Sequence, residues 1–127
     1  MAALSDYLEN ALLNHVLRAT TYVSPVPVYV ALFLTDPTDA GGGTEVSGGS
    51  YSRQVVTFNA PSGGSCDNAL VTFTTATADW GTIPYIALFD AASAGNLLFH
   101  APLLDTVTVL NGETFSIPAG QLIVTLQ

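Results

Sequence analysis

After Pro27 the apolar residues of this chain fall into short runs, each soon closed by Gly, Asn, Ser or Pro. That punctuation leaves no room for a second amphipathic helix and directs most of the chain into β-strands. Val28–Leu34 is a continuous apolar run between Pro27 and Asp36–Pro37, too short for a helix. Further strands are predicted over Arg53–Phe58, Ala69–Thr74, Ile83–Phe89, Leu97–Ala101, Thr106–Leu110, Thr114–Ile117 and Leu122–Leu126. Val56–Thr57–Phe58 and Val71–Thr72–Phe73 alternate as half-buried strands do. Asn111–Gly112 predicts a hairpin between two of the late strands, because both turn positions tolerate positive φ. The expected fold is mainly β: an antiparallel β-sandwich or jelly-roll-like barrel over residues 28–126, in one domain with an N-terminal helix.

That helix is expected over residues 5–19. Asp6 followed by Glu9 resembles a capping box, with Asp6 as the acceptor for the free backbone donors. Leu8, Leu12, Val16 and Ala19 recur at helical spacing, and Leu13 and Leu17 widen the stripe. Arg18 suits the negative end of the helix dipole, and Thr20, Thr21, Pro25 and Pro27 close the element. The apolar stripe needs a partner surface.

Two segments repeat a pattern: Tyr29-Val-Ala-Leu-Phe33 and Tyr85-Ile-Ala-Leu-Phe89, each preceded closely by proline. Convergent packing of two core strands and an internal duplication are both open readings. The glycine-rich stretch Gly41–Ser50 is too long for a tight hairpin. It reads as a mobile loop or as an arm that orders against a neighbouring subunit, with Val46 and Tyr51 anchoring its end.

Charge narrows the function classes. The chain has 127 residues, no lysine, two arginines (Arg18 and Arg53) and ten carboxylates, for a formal charge of −8. Nucleic-acid binding needs cations to neutralise phosphates, so that class is excluded, and an anionic membrane surface would repel the chain. Asp6 and Glu9 precede an apolar run that stops at Leu17, which is neither a signal peptide nor a membrane span. Synthesis in the cytoplasm is the expectation. A charged fraction of 9%, against about 25% for typical soluble domains, means a surface kept in solution by Thr, Ser, Asn and Gly or covered by partners, and both readings point to an assembled structural protein.

No constellation for catalysis or metal binding emerges. Asp36, Asp39 and Glu45 do not follow a calcium-loop spacing, and Asp36 before Pro37 reads as a turn former. The glycine run lacks the Lys and Ser/Thr of a phosphate loop. His15 and His100 lie apart, and Ser93 and Ser116 have no nucleophile motif around them. One cysteine, Cys66, sits in the loop-like stretch Pro61–Asn68 with no intrachain partner. No cofactor is expected. Trp80, in Asp79-Trp-Gly81, reads either as a plug for one end of the sandwich or as a platform for a sugar or a partner protein. Arg53 is expected to pair with a carboxylate, inside the fold or across a subunit contact.

The order of motifs adds a resemblance. Ser5-Asp-Tyr-Leu-Glu-Asn-Ala-Leu-Leu-Asn-His15 leads into Val28-Tyr-Val-Ala-Leu-Phe-Leu-Thr-Asp-Pro37, then a glycine-rich loop and Gly49-Ser-Tyr-Ser-Arg53. Val71-Thr-Phe73, Thr77-Ala-Asp-Trp-Gly81 and Asn96-Leu-Leu-Phe-His100 follow. Over nearly the whole chain this resembles the family of small tailed-bacteriophage structural proteins often labelled tail-fibre-like. The resemblance implies a virion component without enzymatic activity. The leading expectation is a capsid cement or decoration protein bound to the major capsid protein. The alternative is a tail component (a fibre, adaptor or receptor-binding module reading carbohydrate through Trp80 and tyrosines), and a cell-wall hydrolase is a third reading without a motif. Self-association, as a trimer, is expected through an interface including Leu8, Leu12, Val16, Val46, Tyr51, Arg53 and Trp80.

Overall fold

A computed structural model describes residues 2–126. A two-residue strand β1 (Ala3–Leu4) precedes helix α1 (Asp6–Arg18), and an extended strap of residues 19–27 leads to β2 (Val28–Phe33). Then come β3 (Gln54–Val56), β4 (Ser65–Asp67), β5 (Val71–Thr72), β6 (Gly81–Phe89), β7 (Leu97–Val109), β8 (Ser116–Ile117) and β9 (Ile123–Thr125). One antiparallel sheet runs in the order β1-β7-β6-β2-β3; β4 pairs with β9 and β5 with β8 in two short ribbons. Val30, Leu32, Ile86 and Leu88 on one face of the sheet form a single core cluster with Val71, Phe73, Ile117 and Val124 from the ribbon side. The result is the expected β-sandwich, an open sheet faced by two ribbons and one helix.

The twin segments turn out to be antiparallel neighbours. Tyr29 sits opposite Phe89, Ala31 opposite Ala87 and Phe33 opposite Tyr85. This places the buried Ala31–Ala87 pair at the centre of the sheet's second face. Their small side chains let Phe33 and Phe89 lean together and stack, with centroids 5.9 Å apart and planes 6° apart.

Several local expectations need correction. Ser5, not Asp6, caps α1: its Oγ accepts the Leu8 amide at 3.2 Å and donates to the Leu97 carbonyl. The helix ends at Ala19, left-handed at φ 55°, with the Thr20 amide on the Asn14 carbonyl. Cys66 lies in a strand rather than a loop, because β4 recruits β9 as a partner. Asn111–Gly112 does turn, with Gly112 at φ +88°, yet it joins no hairpin, since β8 pairs with β5.

The two strands expected at Leu97–Ala101 and Thr106–Leu110 are one long strand interrupted by a bulge. Ile83 pairs with Val107 and Tyr85 with Pro102, so Pro84 alone faces residues 103–106. Proline has no amide hydrogen to continue the ladder, and β7 loops outward there. Leu104 stands at the crest of this excursion and is 104% exposed. Since β1 covers β7 only at Phe99 and His100, the bulge lies on an open sheet edge.

The glycine-rich stretch is packed against its own chain. The Leu34 amide bonds Thr44, the Val46 amide bonds Leu32, and Val46 is buried. Thr44–Val46 thereby extend the sheet edge that β3 begins. The glycines are used for close approach. A Cβ on Gly43 (φ +78°) would fall 2.8 Å from Pro37 Cα, and one on Gly49 would fall 2.9 Å from the Trp80 indole nitrogen.

Candidate functional site

An apolar groove of about 430 Å³ opens between the helix, the strap and the β4–β9 ribbon. Leu8 and Leu12 of α1, with Tyr22 and Pro25 of the strap, form one wall; Cys66, Val124 and Leu126 from the β4–β9 ribbon form the other. Val28, Leu88, Leu98 and Phe99 make its floor. No charged residue lines it. The start of the strap is tied back to α1 by the Thr20 amide on the Asn14 carbonyl and the Tyr22 amide on His15 Nδ1 at 3.2 Å.

Further apolar side chains on α1, the strap and the C-terminal segment are exposed. Val16, Leu17, Val23 and Val26 are between 72 and 88% exposed, and Leu13 and Leu126 are about half exposed. The helical stripe therefore splits. Leu8 and Leu12 turn into the groove, while Val16, one turn further, lies outside its lining and is largely exposed. Grouped exposed apolar side chains of this kind mark interaction surfaces.

A second constellation is formed around Trp80, Tyr51, Glu45 and Arg53. Trp80 is buried, donates its indole N–H to the Gly49 carbonyl at 2.9 Å and packs edge-on to Tyr51 with centroids 5.4 Å apart. Tyr51 Oη receives the Leu32 amide at 3.0 Å and donates to Glu45 at 2.7 Å. Burial, with the Glu45 carboxylate adding to it, pushes the Tyr51 phenol far above its ordinary range. The same carboxylate takes both Arg53 Nε at 2.9 Å and Nη2 at 2.8 Å. Arg53 Nη1 donates to the Ala91 and Ala94 carbonyls, and its guanidinium carbon lies 3.8 Å from the Phe89 ring centre.

Of the seven residues proposed from sequence for an interface, Leu8, Val46 and Trp80 are buried in their own chain, and Leu12, Tyr51 and Arg53 are partly buried. Val16 is the one open to solvent. Trp80 closes one end of the core and presents no face to a sugar. Asp36 and Asp39 converge on His100, at 3.7 and 2.7 Å, while Glu45 is engaged elsewhere, so the three carboxylates do not form one site. Asp36 Oδ1 also accepts the Thr38 amide, the turn contact expected of Asp before Pro. Among the described residues no cluster of three or more His, Cys, Asp or Glu side chains is arranged to hold a metal. Among the described residues no helix is long and apolar enough to cross a membrane.

Sequence reasoning missed Tyr22, Pro25, Phe58, Leu98 and Leu126 as groove residues, because the groove is assembled from elements far apart in the chain. It also missed Leu104, although adjacent leucines before Asp105 break the strand alternation there. Compared with known proteins, residues 3–125 match the family model described as Podophage GP4 fiber I protein gp80. No curated protein matches closely enough to count as a relative.

Proposed function

The chain belongs to the podophage GP4 fiber I protein gp80 family, and from that membership we propose that it is a non-enzymatic structural component of the tail-fibre apparatus of a tailed bacteriophage. The observation that carries this reading is the match across residues 3–125. It favours the tail alternative over the capsid-cement expectation. The exposed apolar helix tip, strap and groove support a role in which other protein surfaces cover this face. Arg53 is held internally and 7% exposed, which leaves Arg18 as the solvent-facing guanidinium and supports a role without nucleic acid. The partners on this reading are further copies of the chain, in a trimer or a longer stack, and neighbouring tail proteins.

The test is to label purified particles with gold-coupled antibody against this chain and image them in negative stain. A small number of labels confined to the tail is the expected result. Dense labelling over the whole head would overturn it and restore the cement reading.

A further inference from the structure

We infer that copies of this chain associate head to tail, the Leu104 crest of one copy seating in the apolar groove of the next. The inference deepens the fibre reading and rests on it for its biological setting. Three observations carry it. The groove is concave and uncharged, with about 430 Å³ of room, so its occupant must be apolar and must project. Val16, Leu17 and Val23 are exposed as well, but they lie on α1 and the strap, the elements that themselves wall the groove. Leu104, by contrast, is fully exposed at the top of a bulge pushed out from the sheet edge by Pro84.

Charge selects the same pairing. Each copy carries −8, so two copies repel except where the contact is neutral or complementary. The groove lining is neutral. Asp105 follows Leu104 on the crest, and Arg18 ends the helix that walls the groove. Within its own chain the Arg18 guanidinium bonds only the Asn14 side-chain oxygen among the described residues. Pro102 and Asp105 flank the crest and guard the open edge against strand pairing, which leaves the leucine as the contact rather than the backbone.

Crest and groove lie in different parts of one chain, so their contact is heterologous: it closes into a ring if the rotation permits and propagates into a filament if it does not. Cys66, the single cysteine, sits in the groove wall and gives a direct test. Leu104→Cys is made in the full chain and oxidised at high protein concentration, then read on non-reducing gels. A ladder of dimers, trimers and higher species is expected. Wild type and Leu104→Cys/Cys66→Ser should stop at dimers, since each has one thiol. A Leu104→Cys pattern that also stops at dimers means a symmetric contact and overturns the inference.

Leu104→Asp supplies the non-covalent measurement. The side chain touches nothing in its own fold, so far-ultraviolet circular dichroism should be unchanged. Self-association by sedimentation equilibrium should weaken about tenfold or more, the effect of exposing one buried leucine. Unchanged association rejects the crest as the contact. Monomers throughout, with no ladder, assign the groove to a different virion protein and equally overturn the proposal. Both measurements use purified protein, so their failure is separate from a wrong location on the particle.

Discussion

Replacing Glu45 by alanine tests whether the glycine-rich stretch is clamped to its own chain by charge. Arg53 is 7% exposed and Glu45 25%, so removing the carboxylate leaves a nearly buried cation with two carbonyl bonds and the Phe89 ring. Breaking a buried pair in this way costs about 3–5 kcal/mol. Because water reaches the Glu45 position, the lower end applies, about 3 kcal/mol. For a chain of this length the unfolding entropy is on the order of 0.27 kcal/mol/K, which converts 3 kcal/mol to a fall in Tm of about 11 °C. Arg53→Met should cost about 1 kcal/mol less, since the carboxylate left behind can hydrate. The double variant Glu45→Ala/Arg53→Met should show a coupling of about 1.5 kcal/mol or more in a double-mutant cycle read by urea and thermal unfolding. A Tm loss under about 3 °C with coupling below about 0.5 kcal/mol would refute the reasoning and show that solvent screens the pair.

Tyr51 should make the fold alkali-sensitive. The folded phenol holds its proton above the pH of about 10 at which an unfolded tyrosine releases it, so stability is level below pH 10 and falls above it; urea titrations at pH 9 to 11.5 should show a shallower fall in Tyr51→Phe. Ser5→Ala removes the Leu8 cap and an O–H donor to Leu97, and should cost about 1–2 kcal/mol in chemical unfolding without altering the sheet. Replacing Gly41–Gly49 by a two-residue turn should destabilise the chain severely rather than spare it, because Val46, Glu45 and the Gly49 carbonyl are lost together; a cooperative transition at the wild-type midpoint would contradict this packing.

Much of the fold was legible in local patterns. The 3.6-residue spacing of Leu8, Leu12 and Val16 marked the helix, and prolines with short apolar runs marked most strands, because those signals need only neighbours in the chain. Val71–Phe73 and Tyr85–Phe89 were readable for the same reason. The misreadings came where distant partners decided. Ser65–Asp67 is a strand only because Ile123–Thr125 pairs with it, and Thr106–Val109 continues β7 only because Gly81–Ile83 supplies its ladder. The glycine-rich stretch looked mobile because its composition makes ordering costly. Its bonds to Leu32, Leu34, Arg53 and Trp80 offset that cost, and none of them is visible in a run of glycines.

The sequence by itself determined the class of the molecule: an acidic, lysine-free, mainly β chain with one amphipathic helix, written in periodicities and charge counts that act over a few residues. It also determined that the helix stripe would need cover. Only the tertiary structure decided which part of the stripe stays bare: Leu8 and Leu12 line the groove, and Val16 does not. It alone placed Cys66 and Leu126 across a groove from Leu8, and raised Leu104 above the edge opposite a proline. Those positions depend on strand register and layer packing, which are set by contacts between segments far apart in the chain.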